Sequence, residues 1–469
     1  MPLLVALGAA RPLQALILGW LAGTAFFAVT LHWIYLTCRF AGVPVPVSFL
    51  AWSALAVFGG ASWALFAAGV HRLRRLPEPL WPWACAALWT GIEFALARWT
   101  PRVGADLLGY SQWRFLSMLQ PSAWFGPHAL GFLIVAFNAS LAAWVLHKSP
   151  RLGRGTLSAA ALALAWWAAG FGSLRLADAS LDSGPTRRVA VLQPNIDQYR
   201  KWDEKEVEGI RSVFDGLLAQ AAEAKPDLIV WPETSVPGWL EDNQVWLSAW
   251  TRKTGIAQLV GTLTAVNGDR QNSAVMLDSS GRLTGSYHKR ELVPFGEYVP
   301  FRAQLEPYVG ILSQMGDLVP GKANQPALDT PVGPVGVTLC YEAVFPRWSR
   351  LNVRSGARVL ANLTNDGWYK DTWGPWQHFY TNRFRAIENR AVVIRAGNTG
   401  ISALIDPWGR VTAKLDLLRR GVLVGEFPSK DSFPRRSLYA RSGDWFGWLM
   451  LAASALALAA SYSSLSREG

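Results

Sequence analysis

Cysteine and charged side chains are both scarce in this chain. The 469 residues include three cysteines, and charged residues make up 17% of the chain. Three scattered cysteines provide no disulfide framework, which excludes a small fold held together by cross-links. The low charge content accompanies a hydrophobic fraction of 51%, 25 tryptophans and a mean hydropathy of +0.16. Such values are unusual for a soluble protein and indicate embedding in a membrane.

Positive charge exceeds negative charge. The chain has 45 Lys and Arg against 33 Asp and Glu, a formal net charge of +12. An excess of this kind fits either nucleic acid or an anionic membrane surface as the partner. The sequence shows no basic helix and no RNA-binding signature, and its arginines concentrate beside apolar stretches. We therefore expect a membrane as partner and no nucleic acid.

Several apolar stretches are close to the roughly 20 residues that a helix needs to cross a membrane. The first is too long for a signal peptide and lacks a small-residue cleavage site. The six stretches are 12–37, 46–70, 80–98, 127–146, 157–176 and 444–463. The long segment between the fifth and the sixth is polar and carries most of the acidic residues. The sequence thus predicts a transmembrane bundle over 1-176, a polar domain over 185-430 and a C-terminal membrane helix over 443-463.

The short loops predict the orientation. Loops 71–75 and 148–154 are dense in Lys and Arg, whereas the loops near 38–46 and 99–126 are sparser. If all six stretches cross the membrane, the two basic loops share one side with Arg11 and the C-terminus. Short basic loops face the cytoplasm. The polar domain follows the fifth span, so we expect it on the periplasmic, extracytoplasmic side of a bacterial inner membrane.

The polar domain alternates strand-like runs with helical ones. Predicted strands cover 189–193, 227–232, 257–263, 272–278, 333–339, 359–363, 392–396, 400–406 and 421–426, and predicted helices cover 203–224, 243–254, 345–355 and 374–391. This alternation predicts an α/β sandwich with helices covering the sheets. Folds of this class place chemistry just after strand ends. Glu233, Cys340 and the pair Asn365 and Asp366 all follow predicted strands.

Cys340 differs from the other two cysteines. Cys38 and Cys85 lie in strongly apolar stretches, whereas Cys340 ends a strand-like run and is followed two residues later by the carboxylate of Glu342. A lone cysteine is more often a small buried hydrophobic residue. The strand-end position beside a carboxylate instead favours a nucleophile, whose thiolate a nearby cation or base would generate.

A carboxylate and an amine stand in similar settings upstream. Glu233 could be a surface carboxylate or a helix cap, but partial burial after its apolar strand would make it a useful general base. Lys289 could be a solvated turn residue, but beside Glu297 and a thiol its ammonium would stabilise an oxyanion. Each residue alone is weak evidence. Together, the three groups predict acyl transfer.

The order Glu233, Lys289, Cys340 resembles the Glu-Lys-Cys triad of the nitrilase (carbon–nitrogen hydrolase) superfamily. The flanking segments resemble, more narrowly, the bacterial apolipoprotein N-acyltransferases. These segments are 108–112, 193–196, 201–203, 231–234, 292–300, 340–342, 365–368, 385–390 and 398–402. The resemblance covers nearly the whole chain and implies a multi-pass helical membrane bundle joined to a nitrilase-like α-β-β-α sandwich. Members of that family usually begin with one more apolar hairpin, before the segment that resembles the one starting at Pro2. We therefore expect about six spans in this chain rather than eight.

The resemblance implies a two-step reaction. Glu233 would deprotonate Cys340, which attacks the sn-1 ester of a phospholipid, typically phosphatidylethanolamine. Lys289 would stabilise the oxyanion, and a thioester on Cys340 would remain. The α-amine of the S-diacylglyceryl-cysteine of an apolipoprotein would then take the acyl chain, with ping-pong kinetics.

Further residues receive roles from the same resemblance. Glu297 and Glu342 would support the triad by holding Lys289 or the amine, and Trp202 and Tyr341 would lie near the substrate. His378, at helical spacing, is expected to pack or to form hydrogen bonds. No step requires a metal or other cofactor, no His/Cys cluster at ligand spacing is visible in the sequence, and we expect a monomer.

Two other functions fit part of the pattern. A membrane-tethered amidase of the nitrilase type would keep the triad and hydrolyse a small amide, without needing the membrane motifs. A catalytically inactive scaffold that binds lipoproteins would not need the intact triad and its flanks.

Overall fold

Among the residues that the structure describes, the strands fall in the polar central part of the chain, and the apolar stretches are helical. The computed structural model describes residues 1–100, 106–146, 153–180, 185–198, 200–266, 268–300, 302–305, 317–429 and 434–463. Two units result. The helical unit comprises Met1–Ala177 and Ser437–Gly469, and the sheet unit comprises Asp178–Arg436.

The helices lie in both units and are numbered in chain order. They are α1 Pro2–Gly8, α2 Pro12–Thr30, α3 His32–Phe40, α4 Val45–Leu73, α5 Trp81–Trp99, α6 Leu116–Leu119, α7 Ser122–Phe125, α8 Ala129–Leu146, α9 Arg154–Ser180, α10 Val207–Glu223, α11 Leu240–Thr254, α12 Arg302–Leu305, α13 Pro346–Arg354, α14 Trp373–Asn389, α15 Leu438–Ser442 and α16 Trp445–Ser463.

Five of the described helices are long and apolar enough to cross a membrane: Pro12–Thr30, Val45–Leu73, Ala129–Leu146, Arg154–Asp178 and Trp445–Tyr462. The remaining predicted stretch, 80–98, is not among these five, and its crossing of the membrane stays a prediction. This stretch does form α5, but its tryptophans, a glutamate and an arginine make the helix more polar than the five. The first predicted span also ends earlier, since α2 stops at Thr30 and a separate helix follows. Residues 148–152 of the second basic loop lie outside the described residues.

The polar character of α5 fits its place at the centre of the helical unit. Twelve of its 19 residues are buried, and it packs against α4, α8 and α16. Its carboxylate, Glu93, accepts a 2.8 Å hydrogen bond from the backbone N–H of Leu108 and lies 3.4 Å from His128 Nδ1. A helix that neighbours shield from lipid can carry a polar group when that group is bonded internally.

Close backbone contact joins α2 to α4. A Cβ atom on Gly23 would lie 2.9 Å from the Cα atom of Gly60, so neither position accepts a larger side chain without movement. Small residues of this kind let membrane helices approach each other and gain dispersion contacts.

Eleven strands form two sheets in the described part of the sheet unit. They are β1 Thr186–Gln193, β2 Leu228–Val230, β3 Ala257–Val266, β4 Asp269–Leu277, β5 Leu283–His288, β6 Val335–Leu339, β7 Val359–Thr364, β8 Val392–Gly397, β9 Ser402–Ile405, β10 Val411–Leu415 and β11 Gly421–Pro428. The first sheet has the order β11-β1-β2-β3-β4-β5, and the second has the order β10-β9-β8-β7-β6. Strands β1 to β3 are mutually parallel, as are β6 to β8.

The core lies between the two sheets. Val191 and Val230 of the first sheet belong to one buried cluster with Val337 and Ile394 of the second. Side chains that alternate with these along β1 and β2 face the other way and pack with α10 and α11, while α13 and α14 contact β6 and β8 of the second sheet. The layers are therefore helix, sheet, sheet, helix, which confirms the predicted α-β-β-α sandwich.

The ends of the parallel strands carry the residues that the sequence predicts to form the site. Glu233 follows the end of β2, Cys340 directly follows β6, and Asn365 directly follows β7. Carboxyl ends of neighbouring parallel strands lie at one edge of a sheet. Cys340 and Asn365 therefore lie at one edge of the second sheet, and Glu233 of the first sheet meets them there, because its Oε2 accepts a bond from the backbone N–H of Asn365.

Candidate active site

Cys340 stands at a strained backbone position. It begins a 3-10 turn, Cys340–Val344, is buried, and has a φ of +46°. A left-handed φ is uncommon for a residue other than glycine, and such strain concentrates at functional sites. Its carbonyl oxygen accepts hydrogen bonds from His378 Nε2 at 2.9 Å and from Asn362 Nδ2 at 3.3 Å. These two donors hold the turn that presents the thiol.

The surroundings keep Cys340 protonated at rest. Burial raises the pKa of the thiol, and the carboxylates of Glu233 and Asp366 raise it further. The ammonium of Lys289 and a hydrogen bond with Thr364 lower it, but the net pKa stays well above its ordinary value. Since the thiolate is the nucleophile, the group needs a base within the reaction step.

Glu233 is held at both carboxylate oxygens. Its Oε1 accepts hydrogen bonds from Lys289 Nζ at 3.0 Å and from Asn272 Nδ2 at 2.7 Å. Its Oε2 accepts one from the backbone N–H of Asn365 at 3.0 Å. A buried carboxylate fixed in this way, whose charge acts on the Cys340 thiol, has the placement of a general base.

Lys289 lies between two carboxylates. Besides Glu233, its Nζ donates a 2.8 Å hydrogen bond to Glu297 Oε1. Burial lowers the pKa of Lys289, but the charges of Glu233 and Glu297 raise it by more, and the net pKa is well above its ordinary value. The group is therefore an ammonium near neutral pH, and its burial suits it to stabilising an oxyanion.

Glu342 has different contacts from those that the sequence suggested. We expected it to hold Lys289 or the substrate amine. Instead, this fully buried carboxylate accepts four hydrogen bonds, from Tyr287 Oη, and from the backbone N–H groups of Leu339, Arg290 and Glu291, at 2.5 to 3.1 Å. It joins the segment after Lys289 to the end of β6, one residue before Cys340. Its role is to position both segments.

Asn272, on β4, was missed by the sequence analysis. Its Nδ2 donates 2.7 Å hydrogen bonds to Glu233 and to Glu297. One amide group thus separates two carboxylates that would otherwise repel each other, while Lys289 supplies the opposite charge. A single asparagine at the start of a strand gave no signal in the sequence, because the two partners lie 39 and 25 residues away.

A second buried cluster, formed by Asp366, His378 and Arg395, supports the turn at Cys340. Asp366 Oδ1 lies 2.9 Å from His378 Nδ1, and Asp366 Oδ2 accepts a 2.7 Å bond from Arg395 Nη2. Burial raises the pKa of Asp366, but Arg395 and His378 lower it to about 2. Because His378 bonds Asp366 with one ring nitrogen and the Cys340 carbonyl with the other, it serves as a hydrogen-bonding residue, as predicted.

The sequence shows no His/Cys cluster at ligand spacing, but the fold brings one cysteine, one aspartate and one histidine together. Possible ligand atoms of Cys340, Asp366 and His378 all lie within 4.8 Å of one another. Both ring nitrogens of His378 are, however, already engaged by protein groups, Nδ1 by Asp366 and Nε2 by the carbonyl of Cys340. The hydrogen bonds of this cluster give it the task of fixing the Cys340 backbone.

Comparison with known proteins identifies the family. Residues 188–432 match the carbon-nitrogen hydrolase family, and residues 1–140 match the apolipoprotein N-acyltransferase N-terminal domain. The chain is 34% identical to an apolipoprotein N-acyltransferase of Geobacter metallireducens, over 98% of this chain and 89% of the relative. The chain belongs to the apolipoprotein N-acyltransferase family. Relatives with the same name in Azotobacter vinelandii and Brucella melitensis are each 33% identical, over 89% and 96% of this chain and 81% and 86% of theirs. The resemblance seen in the sequence is confirmed.

Solved structures are similar to part of this apolipoprotein N-acyltransferase family member. The C. elegans NitFhit protein is 22% identical with a TM-score of 0.41, covering 52% of this chain and 61% of its own. An amidase from Nesterenkonia sp. is 21% identical with a TM-score of 0.42, covering 53% of this chain and 92% of its own.

Two aromatic residues that the apolipoprotein N-acyltransferase resemblance assigned to substrate contact lie at different depths. Trp202 is 48% exposed and follows the buried Lys201, whose Nζ lies 5.6 Å from the centre of the indole ring. Tyr341, next to Cys340, is partly buried and packs edge-on against Phe345 with ring centres 4.9 Å apart. Their contact with substrate stays a prediction.

Proposed function

We propose that this protein moves the sn-1 acyl chain of a phospholipid, through a thioester on Cys340, onto the α-amino group of the S-diacylglyceryl-cysteine of apolipoproteins. One observation carries the proposal most directly. Glu233 is held by Lys289, Asn272 and Asn365 at the edge of the sheets where Cys340 is kept as a thiol. A base, an ammonium and a nucleophile in one buried cluster are the groups that acyl transfer needs.

The first half-reaction forms the thioester. Glu233 takes the thiol proton as Cys340 Sγ attacks the ester carbonyl carbon of the phospholipid. The ammonium of Lys289 stabilises the oxyanion of the tetrahedral intermediate. As the intermediate collapses, the carbon–oxygen bond breaks, and Glu233 returns the proton to the leaving lysophospholipid oxygen. Phosphatidylethanolamine is the donor we expect.

The second half-reaction transfers the chain. The neutral α-amine of the apolipoprotein attacks the thioester carbon, and Glu233 accepts the proton that the nitrogen gives up. Lys289 again stabilises the oxyanion. The carbon–sulfur bond breaks, the amide forms, and the proton returns to Cys340. The lysophospholipid leaves before the amine reacts. Double-reciprocal plots of initial rate against phospholipid concentration, at several fixed lipoprotein concentrations, should therefore be parallel, as for a ping-pong reaction.

The proposed setting is the bacterial inner membrane. We infer that 1-176 and 443-463 cross the membrane and that 185-430 performs catalysis on the periplasmic side, as a monomer and without a cofactor. The basic loop at 71–75 supports a cytoplasmic location for the opposite ends of the spans. Both substrates are lipids, and extracting a chain into water costs about 0.8 kcal/mol for each CH₂. A membrane-anchored enzyme avoids that cost.

The test uses the full-length protein in phospholipid nanodiscs. Phosphatidylethanolamine with a labelled sn-1 chain is supplied together with a diacylglyceryl-cysteine lipopeptide, and the products are separated by mass. The proposal expects labelled N-acyl lipopeptide and lysophosphatidylethanolamine, and neither with Cys340→Ala. Hydrolysis of small amides without lipopeptide acylation would instead support the amidase. Lipopeptide binding with no turnover would support the inactive scaffold.

A further inference from the structure

Lys201 is a buried amine that the two half-reactions leave without a task. Its side chain is 4% exposed, and its Nζ donates hydrogen bonds to Thr234 Oγ1 at 2.7 Å and to the backbone carbonyl of Glu233 at 3.3 Å. Burying an amine is costly unless its donors are satisfied. Both acceptors belong to the turn that presents the catalytic carboxylate, so the hydrogen bonds of the buried amine stabilise that turn.

That turn has to be held from outside. Thr234 has a φ of +44°, a left-handed value that is strained for a β-branched residue. On one side, strand β3 approaches so closely that a Cβ atom on Gly261 would lie 2.1 Å from the carbonyl oxygen of Pro232. The backbone N–H of Ser235 also bonds the carbonyl of Gly261 at 2.7 Å. Lys201 adds its two hydrogen bonds to the same turn, at Thr234 Oγ1 and at the carbonyl of Glu233.

Lys201 also belongs to a segment that carries Gln198 and Trp202, of which the structure describes residues 194–198 and 200–203. A second contact links this segment to the base, because Gln198 accepts a hydrogen bond from the side chain of Asn365, whose backbone N–H donates to Glu233 Oε2. The segment is therefore fastened to the backbone of Glu233 by Lys201 and to its carboxylate through Asn365.

We propose that Lys201 is a positioning residue for Glu233, and that it fastens the segment bearing Trp202 to the turn that carries the general base. The inference rests on the proposed function, since it requires Glu233 to act as the base. Any contact that moves Trp202 then also moves the carboxylate that deprotonates Cys340. Substrate contact at Trp202 and the placement of the base are then coupled through Lys201, with Asn365 as a second link.

The charge of Lys201 should affect how the rate of thioester formation depends on pH. Burial lowers the pKa of Lys201 to about 7, against an opposing effect of the Glu233 carboxylate. Glu233 is the charged group that acts on it among the described residues, and Glu233 is in turn bonded to Lys289, which also bonds Glu297. As the pH rises through about 7, Lys201 loses its proton and Glu233 loses a nearby positive charge. The carboxylate then attracts a proton more strongly, so thioester formation should accelerate.

The experiment measures single-turnover thioester formation on Cys340 by the full-length protein in nanodiscs, at saturating labelled phosphatidylethanolamine and from about pH 6 to about pH 9. Lys201→Met should slow the step about 10-fold or more, because a misplaced base loses rate steeply. Lys201→Arg keeps both donors and a permanent charge, so it should retain more of the rate. Both variants should lose the acceleration near neutral pH.

Controls separate the possible outcomes. Lys205→Met removes an exposed lysine four residues away and should leave rate and profile unchanged. Thr234→Val removes the acceptor of the 2.7 Å bond while keeping the branched shape, so it should also slow thioester formation. It provides the test if Lys201→Met proves to be unfolded. Wild-type rates and profiles in Lys201→Met, or in a folded Thr234→Val, would overturn the role of Lys201. A wild-type protein that forms no thioester at any pH would contradict the proposed function instead.

Discussion

The Nζ atom of Lys289 lies 2.8 Å from Oε1 of Glu297, and both groups are largely buried. The second oxygen of Glu297 is also engaged, because it accepts a 2.8 Å bond from the backbone N–H of Val293. The carboxylate therefore connects the ammonium to the loop that follows it. Removing its charge should disturb the oxyanion-stabilising group without touching the nucleophile.

Glu297→Gln should slow thioester formation about 10- to 100-fold, the equivalent of losing one charge-assisted hydrogen bond. A glutamine has one carbonyl oxygen and one amide nitrogen, so it cannot accept bonds from both Lys289 and Val293. Single-turnover kinetics with labelled phospholipid checks this. Glu208→Gln, at an exposed helix position, is the matched control and should react at the wild-type rate. A Glu297→Gln rate equal to that of the control would contradict the role assigned to Glu297.

Asn272→Asp replaces the amide NH₂ group by an oxygen of almost the same size, yet it should be more harmful than Asn272→Ala. The aspartate would place a third carboxylate against Glu233 and Glu297, where the wild-type amide donates a bond to each. Like charges at this distance repel, and a buried charge without a partner is costly. We expect activity in the order wild type, Asn272→Ala, Asn272→Asp, with the thermal unfolding temperature following the same order. An Asn272→Asp protein as active as Asn272→Ala would show that the amide does not separate the two carboxylates.

Asp366→Asn should destabilise the protein by about 3–5 kcal/mol near neutral pH. It removes the charge that faces the buried guanidinium of Arg395, and breaking one side of a buried ion pair leaves the other charge uncompensated. Chemical unfolding of the full-length protein in detergent, followed by tryptophan fluorescence, measures the difference. Asp371→Asn, close by in the chain and not fully buried, should have little effect.

The difference in the free energy of unfolding between wild type and Asp366→Asn should depend on pH. The pKa of Asp366 is about 2 in the folded protein, below the roughly 3.9 of an unfolded aspartate. A carboxyl group whose pKa is lowered by folding stabilises the protein at pH values above its unfolded pKa. That stabilisation is lost as the pH falls through its folded pKa. The gap between wild type and Asp366→Asn should therefore narrow as the pH falls from about 4 to about 2. A gap that stays constant over this window would mean that the carboxylate charge is not the source of the stability.

Glu233→Gln should have opposite effects on two reactions of Cys340. The Glu233 carboxylate raises the pKa of the thiol, so its removal should increase the thiolate fraction and speed alkylation by iodoacetamide at about pH 8. Thioester formation should fall by about 10²-fold or more, because the general base is lost. The two rates are measured in a background with Cys38→Ser and Cys85→Ser. Parallel losses in both reactions would indicate that Glu233 only supports the structure.

The predictable part of this protein follows from hydrophobic patterning. Apolar runs such as 359–363 identified the central parallel strands, and the residue after each run was a candidate because parallel strand ends meet at one edge. Strands β5 and β10 were missed. Their sequences, LTGSYH and VTAKL, mix polar and apolar residues because they lie at sheet edges and are partly exposed.

The contacts of the site could not be predicted in the same way. Glu342 was assigned to an ammonium, but it accepts bonds from three backbone N–H groups that converge only after two segments fold together. Asn272 and Lys201 act through neighbours more than 20 residues distant. Helix α5 is not among the five helices that are apolar enough to cross a membrane by composition. Neighbouring helices shield it from lipid and let it carry polar groups, and a single sequence does not reveal that shielding.

The central claim is that Cys340 carries the acyl chain. The most direct measurement incubates the Cys38→Ser, Cys85→Ser protein with phosphatidylethanolamine labelled in its sn-1 chain, without acceptor, and maps the label by peptide mass spectrometry. The account predicts one labelled acyl thioester, on the peptide containing Cys340, which hydroxylamine removes and the diacylglyceryl lipopeptide discharges as an amide. It also predicts no thioester in Cys340→Ser. Transfer of labelled chain to the lipopeptide while Cys340 stays unmodified, or in the Cys340→Ala variant, would contradict it.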